Sequence, residues 1–291
     1  MRNFSADHRW LSINTATIRK QHGVEQPLLD ILESCARHGI RAISPWRDQV
    51  AGAGLAATVR TVRAHGLELS GYCRGGMFTA SDDGGLEAAH EDNRRAVDEA
   101  CELASRCLVL VVGSLPGALQ GKAAHKNLAL ARQQVFDGIG KLLDYARAQG
   151  MPLAIEPLHP MYAADRACVN TLEQALDICD ALDPERSGAL GVAVDMYHVW
   201  WDPKLKAQIE RAGKTRLLAF HVCDWLTPTN DLLNDRGMMG DGVIDIPQAR
   251  GWMESQGFDG FCEVEIFSNT WWQRSGDETL QACIERHRTC V

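Results

Sequence analysis

Eight short aliphatic runs recur along the 291-residue chain, each entered through a polar or glycine-containing turn and each followed by a longer amphipathic stretch. Runs of roughly four to eight residues rich in Val, Ile, Leu and Ala are too short for typical helices and read as strands buried on both faces. They are WLSINTATI, IRAISPW, LELSGYC, CLVLVVGS, PLAIEPL, GALGVAVDM, LLAFHVCD and FCEVEIF. Between them lie helical patterns such as PLLDILESCARHG, GLAATVRTVRAHG, EDNRRAVDEACELASR, LALARQQVFDGIGKLLDYARAQG, TLEQALDICDAL, IPQARGWMESQG and ETLQACIERH, several ending on the glycine that helix C-termini favour. In TLEQALDICDAL, Thr171 and Gln174 have capping-box spacing, and Leu172, Ala175, Leu176, Cys179 and Leu182 share one face. KLKAQIERAG, the sixth helix, carries the least pattern. Alternating strands and helices imply parallel pairing, and eight such units match a closed (β/α)8 TIM barrel. No GxGxxG follows the first strand, which argues against an open dinucleotide-binding sheet. No low-complexity linker interrupts the alternation, so residues 1–291 are expected to form a single (β/α)8 barrel domain.

Composition narrows the partners. Thirty basic against 38 acidic side chains give a net charge of -8, and the pI is near 5.7. A chain this acidic lacks the positive footprint that nucleic acid or an anionic membrane selects, so no nucleic-acid and no membrane partner is expected. No apolar stretch approaches the ~18 residues of a membrane span. The start, MRNFSADHRWLSIN, shows no apolar signal run, and the ten cysteines form no CxxC pair. Several of them (Cys35, Cys101, Cys179, Cys262) fall inside strand and helix patterns. They read as reduced core residues of a cytoplasmic protein whose partner is a small molecule.

In a barrel of this kind, chemistry gathers at the C-terminal ends of the strands. Four successive strands end on metal-ligating side chains there: Glu156 in LAIEPL, Asp195 in GVAVDMYH, His221 in AFHVCD and Glu265 in EVEIFS. They are spaced by roughly one βα unit each and so converge above the barrel axis. Three carboxylates and an imidazole form an oxygen-rich set that suits one divalent cation such as Mn²⁺, Mg²⁺ or Co²⁺ better than structural zinc, with Zn²⁺ as an alternative. Without a cation, carboxylates crowded into a cleft repel one another. Glu263 competes with Glu265, since both lie on the same face of the last strand. Glu265, nearer the strand end, is preferred.

These same residues carry a resemblance. VDMYH matches a D-x-x-H motif, DRGMMGDGVIDI matches R-x-x-x-G-x-G-x-I-D, and EIF closes the last strand. In these features the chain resembles the xylose isomerase-like TIM barrels, the sugar phosphate isomerases/epimerases, and most of all their 2-keto-myo-inositol isomerase branch. The resemblance implies that Glu156, Asp195, His221 and Glu265 bind one divalent metal, commonly Mn²⁺. It further implies that Glu156 and Glu265 exchange protons with a keto sugar or cyclitol through an enediolate. Arg236 would steady the developing oxyanion, and His198 would bond a substrate oxygen. Homodimers and homotetramers are common among such barrels.

Other strand-end residues add weaker candidates: Trp46 with Arg47, and Arg74, for substrate contact or an anion subsite, although no lysine-bearing P-loop pattern favours phosphate, and His159 for the metal's surroundings or substrate contact. Five tryptophans, Trp200, Trp201, Trp225, Trp271 and Trp272, are expected to roof the pocket or to bury a subunit interface. Endonuclease-like members of the same superfamily need extra histidines for three zinc ions. Here SPWRD, SGYCRGG and VVGSLPG have none, and Asp235-Arg236-Gly237 stands where those enzymes have D-x-H. Two further alternatives to an isomerase or epimerase are a lyase or dehydratase, with His159 or His198 as the acid over a leaving group, and a non-catalytic metal-binding partner subunit.

Overall fold

A computed structural model of the chain describes residues 2–291. The barrel strands are β1 (Leu11–Asn14), β2 (Ala42–Ser44), β3 in two pieces (Glu68–Leu69 and Tyr72–Gly75), β4 (Leu108–Leu110), β5 (Leu153–Ile155), β6 (Leu190–Asp195), β7 (Leu217–Val222) and β8 (Cys262–Val264). All pair in parallel. The sheet runs from the first piece of β3 through β2, β1, β8, β7, β6, β5 and β4 to the second piece of β3. Its two ends are thus halves of one strand, and the isolated bridges Trp46 to Cys73 and Leu69 to Ser105 tie each half to the opposite neighbour. The (β/α)8 barrel expected from the eight runs is the architecture found. The interruption at Ser70–Gly71 is the feature that LELSGYC did not announce.

Each strand is followed by a covering helix: α1 (Leu28–Arg37), α2 (Leu55–Ala64), α3 (Asp83–Glu102), α4 (Leu128–Gln149), α5 (Leu172–Leu182), α6 (Leu205–Arg216), α7 (Ile246–Ser255) and α8 (Gly276–Cys290). Side-chain caps start most of them: Asp82 for α3, Asn127 for α4, Thr171 for α5, Asp245 for α7 and Ser275 for α8. Such caps satisfy otherwise orphaned N–H groups. The Thr171 hydroxyl accepts from the Gln174 N–H as expected. The Gln174 amide oxygen, however, reaches one residue further back, to the N–H of Asn170 at 2.8 Å. At the end of α4, Gly150 takes φ +71°, a conformation that strains any residue with a Cβ.

Large aliphatic side chains fill the layer between barrel and helices. The barrel interior is different, packed by the small side chains Cys73, Cys107, Val109, Ala154, Ala193 and Ala219. Small residues there leave space for polar groups, and Ser12, Asn14, Ser70, His221 and Glu263 occupy it, all buried. The ten cysteines are free thiols. No helix among the described residues is long and apolar enough to cross a membrane.

Candidate active site

Register sets the heights of the ligand candidates. On adjacent strands, His221 stands level with Asp195 on one side and with Glu263 on the other. Glu156 and Glu265 each follow the last paired residue of their strands. The structure brings Glu156, Asp195, His221 and Glu265 together: all four are buried, and one ligand atom from each lies within 4.8 Å of the others. Glu263 points into the same interior but is consumed one layer deeper. Its carboxylate accepts from Asn14 Nδ2 at 2.9 Å and from Ser70 Oγ at 2.8 Å, and lies 3.6 Å from His221 Nε2. Asn14 also donates to Glu265 Oε1 at 3.0 Å, so one amide fixes both glutamates.

Hydrogen bonds orient the quartet. His221 Nδ1 meets Glu156 Oε1 at 2.8 Å. Asp195 Oδ1 accepts from the Tyr197 N–H at 2.8 Å and so caps the short helix Met196–Val199, leaving Oδ2 for the site. Arg236, itself buried, reaches across. Its Nη1 donates to Asp195 Oδ2 (3.1 Å) and Glu265 Oε2 (3.0 Å), and its Nη2 lies 3.2 Å from His198 Nε2. Tyr197 and Phe267 sandwich the guanidinium, with ring centroids at 4.4 and 5.1 Å. Arg236 is aimed by the loop after β7, where Arg236–Gly237 pairs antiparallel with Asp224–Trp225. The buried Asp224 carboxylate ties the loop down by accepting from the N–H groups of Gly240 and Ile244, each at 2.9 Å. At Gly242 a Cβ would come within 2.6 Å of Asp224 Oδ1, so the loop closes only around glycine. The glycines of DRGMMGDGVIDI therefore serve the placement of Arg236.

Burial dominates the ionisation of these groups. It pushes the Asp195 carboxyl up to about 7 against the pull of Arg236, and it raises Glu156 and Glu265 despite their contacts with His221 and Arg236. Burial alone would lower His221, but Glu263, Glu156 and Glu265 outweigh it and raise the imidazole well above its ordinary value. His198 goes the other way, held neutral by burial and by the charge of Arg236. A neutral imidazole has one N–H. The His159 backbone N–H approaches His198 Nδ1 at 3.2 Å and Arg236 Nη2 approaches Nε2 at 3.2 Å, so both ring nitrogens face donors and only one of them can accept; Asp195 Oδ2 lies 3.6 Å from Nε2.

The mouth above the quartet opens into a cavity of about 120 Å³ whose walls include Trp46, Arg74, Glu156, Tyr162, Arg166, His198, Arg236, Glu265 and Phe267. Glu156 and Glu265 reach this space, whereas Asp195 and His221 sit beneath it. Trp46 is fixed by its Nε1–H bond to Asn14 Oδ1 at 2.8 Å and by edge contact with Phe267 at 5.4 Å. His159 does not line the cavity: its ring stacks on Trp225 at 5.0 Å and its contribution is the backbone N–H given to His198. Nor do the five tryptophans roof it. Trp225 packs with Tyr197 and Trp200, while Trp271 and Trp272 lie on the side of the loop after β8. The hydroxyls of Tyr162 and Tyr197 instead hold the Leu232 carbonyl, setting the next residue, Leu233, into the cavity wall.

A family model described as xylose isomerase-like TIM barrel matches residues 32–287. The chain belongs to the xylose isomerase-like TIM barrel family. Within this family, a curated protein of Bacillus velezensis named inosose isomerase is 23% identical over 97% of this chain and 96% of its own. A Sinorhizobium meliloti protein of known crystal structure is 57% identical over 97% of this chain and 98% of that one, with a TM-score of 0.90. The crystal structure of the IOLI protein with a bound zinc atom, 20% identical over 95% of both chains, superposes with a TM-score of 0.77 and shares the fold.

Three carboxylate oxygens and one imidazole nitrogen, buried and converging from four strands, could hold a divalent cation. Binding must displace the proton that burial keeps on Asp195 up to about pH 7 and the one that Glu263, Glu156 and Glu265 hold on His221. In the metal-free protein this raised carboxyl favours the folded state below its unfolded value, near pH 4, and that contribution is lost as pH rises through about 7. The cation reverses the sign. Titration with Mn²⁺ is therefore expected to show proton release and an affinity weakening by at least roughly tenfold per pH unit below about 7. The rise in melting temperature on adding Mn²⁺ should accordingly be larger at pH 8 than at pH 6. An affinity flat from pH 5.5 to 8 would contradict the assignment of Asp195 as a ligand.

Proposed function

We propose that this chain is a cytoplasmic, divalent-metal-dependent isomerase or epimerase of a small keto sugar or keto-cyclitol, working through an enediolate. The observation that carries the reading is the division of labour within the quartet. Asp195 and His221 are buried under the site, while Glu156 and Glu265 both belong to the quartet and reach the cavity where a substrate would lie. A relative named inosose isomerase, aligned over nearly its whole length, supports the substrate class.

A divalent cation, Mn²⁺ by preference, would polarise the substrate carbonyl and acidify the neighbouring C–H. Glu156 and Glu265 are then the groups that take a proton from one carbon and return it to the same or an adjacent one. Asn14 holds Glu265, and His221 holds Glu156, in fixed orientation for that exchange. Neutral His198 and the guanidinium of Arg236 both face the cavity, and Arg236 is the donor to oxygen, placed before the charge develops. Trp46, Phe267 and Tyr162 wall the site against water.

The test is solvent exchange: ketoses, inososes and 3-keto sugars incubated in D₂O with metal-free and Mn²⁺-loaded protein and followed by NMR. The expected result is Mn²⁺-dependent deuterium at a carbon next to the carbonyl with the skeleton and substituents intact. Labelling accompanied by loss of a substituent would move the protein to the lyases, with His198 as the acid. No exchange from protein carrying stoichiometric Mn²⁺ would overturn the proposal.

A further inference from the structure

Of the guanidinium groups around the barrel mouth, most are spoken for. Arg19 pairs with Asp48 at 2.8 Å and Glu25 at 3.4 Å, Arg47 with Glu99 at 2.8 Å and Asp92 at 2.9 Å, and Arg236 with Glu265 at 3.0 Å and Asp195 at 3.1 Å. Two are not. Arg74, on β3, has the Met77 thioether at 3.2 Å as its one polar contact, and sulfur is a weak acceptor. Arg166, in the loop after β5, makes no side-chain hydrogen bond or ion pair among the described residues. Both lean on aromatic walls of the cavity, Arg74 with Trp46 at 6.0 Å and Arg166 with Tyr162 at 5.5 Å, and both line the same space as Glu156, Glu265, His198 and Arg236.

We infer that the substrate of this site carries an oxyanion, a carboxylate or phosphate group, received by Arg74 and Arg166. The inference rests on the keto-sugar or keto-cyclitol reading for the rest of the molecule and adds the charged end. Both residues are half-buried, so each guanidinium gives up part of its hydration without an acceptor in return, and two facing one cavity repel each other as well. Arg74 feels both effects: burial first, and then the charge of Arg166, draw its proton affinity down. An oxyanion removes both costs at once, and the planar fork of arginine matches carboxylate and phosphate geometry. Neutralising the acidic centre does not require the pair. Glu156, Asp195, Glu263 and Glu265 are already answered by Arg236 and a divalent cation to within one charge. Room for the group exists, since Trp46 and Arg74 form a wall shared with an adjoining cavity of about 410 Å³ that also exposes Arg19 and Arg47.

The experiment is calorimetric titration of Mn²⁺-loaded protein with three probes of similar size: myo-inositol, glucuronate and myo-inositol 1-phosphate. At least one anionic probe is expected to bind roughly tenfold or more tighter than myo-inositol, the worth of one or two charge-assisted hydrogen bonds. The stronger of the two names carboxylate or phosphate. The preference should shrink as salt rises from 50 to about 500 mM. It should also fall by roughly tenfold in Arg74→Gln and in Arg166→Gln, with circular dichroism and bound Mn²⁺ unchanged. Equal binding of neutral and anionic probes, or no binding of any, overturns the inference, and where a variant fails to fold the same titration of metal-free protein decides, since a preference held by the arginines persists there and one held by the cation is lost. A preference that survives both substitutions also overturns it, and would place the anion on the cation itself. Because none of this needs turnover, failure here and failure of solvent exchange are separate results.

Discussion

Asp195→Asn is expected to lower turnover by roughly a thousandfold or more and to strip the protein of most of its bound Mn²⁺ while leaving the barrel intact. The asymmetry follows from the two oxygens. Oδ1 accepts from the Tyr197 N–H and starts the helix Met196–Val199, and an asparagine keeps that oxygen and is as good a cap as aspartate. Oδ2 is the oxygen that faces Arg236 and the rest of the quartet. There the substitution removes the charge and points an amide N–H₂, a donor, at another donor and at any cation. Volume is conserved at a fully buried position, so neither a cavity nor overpacking is introduced. Metal analysis, a thermal melt and the deuterium-exchange rate on the same preparation separate the effects. A variant with full metal content and full exchange would remove Asp195 from the site altogether.

How far such a site is legible in a sequence depends on what fixes each residue. Strand ends are fixed by the fold: once GVAVD and LLAFH are recognised as barrel strands, Asp195 and His221 can only emerge at the mouth, because every second side chain of a strand points inward. The same rule reaches Asn14, the last residue of β1, which was not singled out although it fixes Glu263, Glu265 and Trp46. Choosing between Glu263 and Glu265 needed the heights of neighbouring strands. Residues carried by loops are less legible. Arg166, Tyr162 and Leu233 reach the cavity through the course of two loops, and that course is set by bonds such as Tyr162 Oη–H to the Leu232 carbonyl, made between segments 70 residues apart. The five tryptophans stay out of the cavity wall for the same reason. Position after a strand says that a ring is near the mouth, whereas whether it turns toward the axis is settled by packing, as where Trp225 finds His159 and Tyr197. His159 exposes a further limit: its contact with the site runs through a backbone N–H, which no side-chain pattern records.

Arg236→Met should reveal how far this site depends on a cation of its own chain. The guanidinium is buried with the two carboxylates it bridges, Asp195 and Glu265, and burial by itself already drives both toward their protonated forms. Removing one partner of such a group leaves uncompensated buried charge, a loss of about 3–5 kcal/mol of stability. Methionine keeps the apolar contact with Tyr197 and Phe267 that the arginine stem and face now make, so the change isolates the charge. The cost falls on the ionised carboxylates. In metal-free protein it should therefore grow as pH rises through about 7, where Asp195 gives up its proton, and shrink below that pH as the carboxyls take up protons without leaving the interior. Mn²⁺ supplies positive charge to the same oxygens, so saturating metal should recover most of the stability at pH 8. Activity should not recover with it. Under the proposed mechanism the donor to the oxygen on which charge develops is then gone, at a cost of roughly a hundred- to a thousandfold in rate. Urea unfolding at pH 5 and 8, with and without Mn²⁺, resolves the two roles. A metal-free variant as stable as the parent at pH 8, or an equal loss with and without metal, would mean that Arg236 is a packing residue rather than the counter-charge of the site.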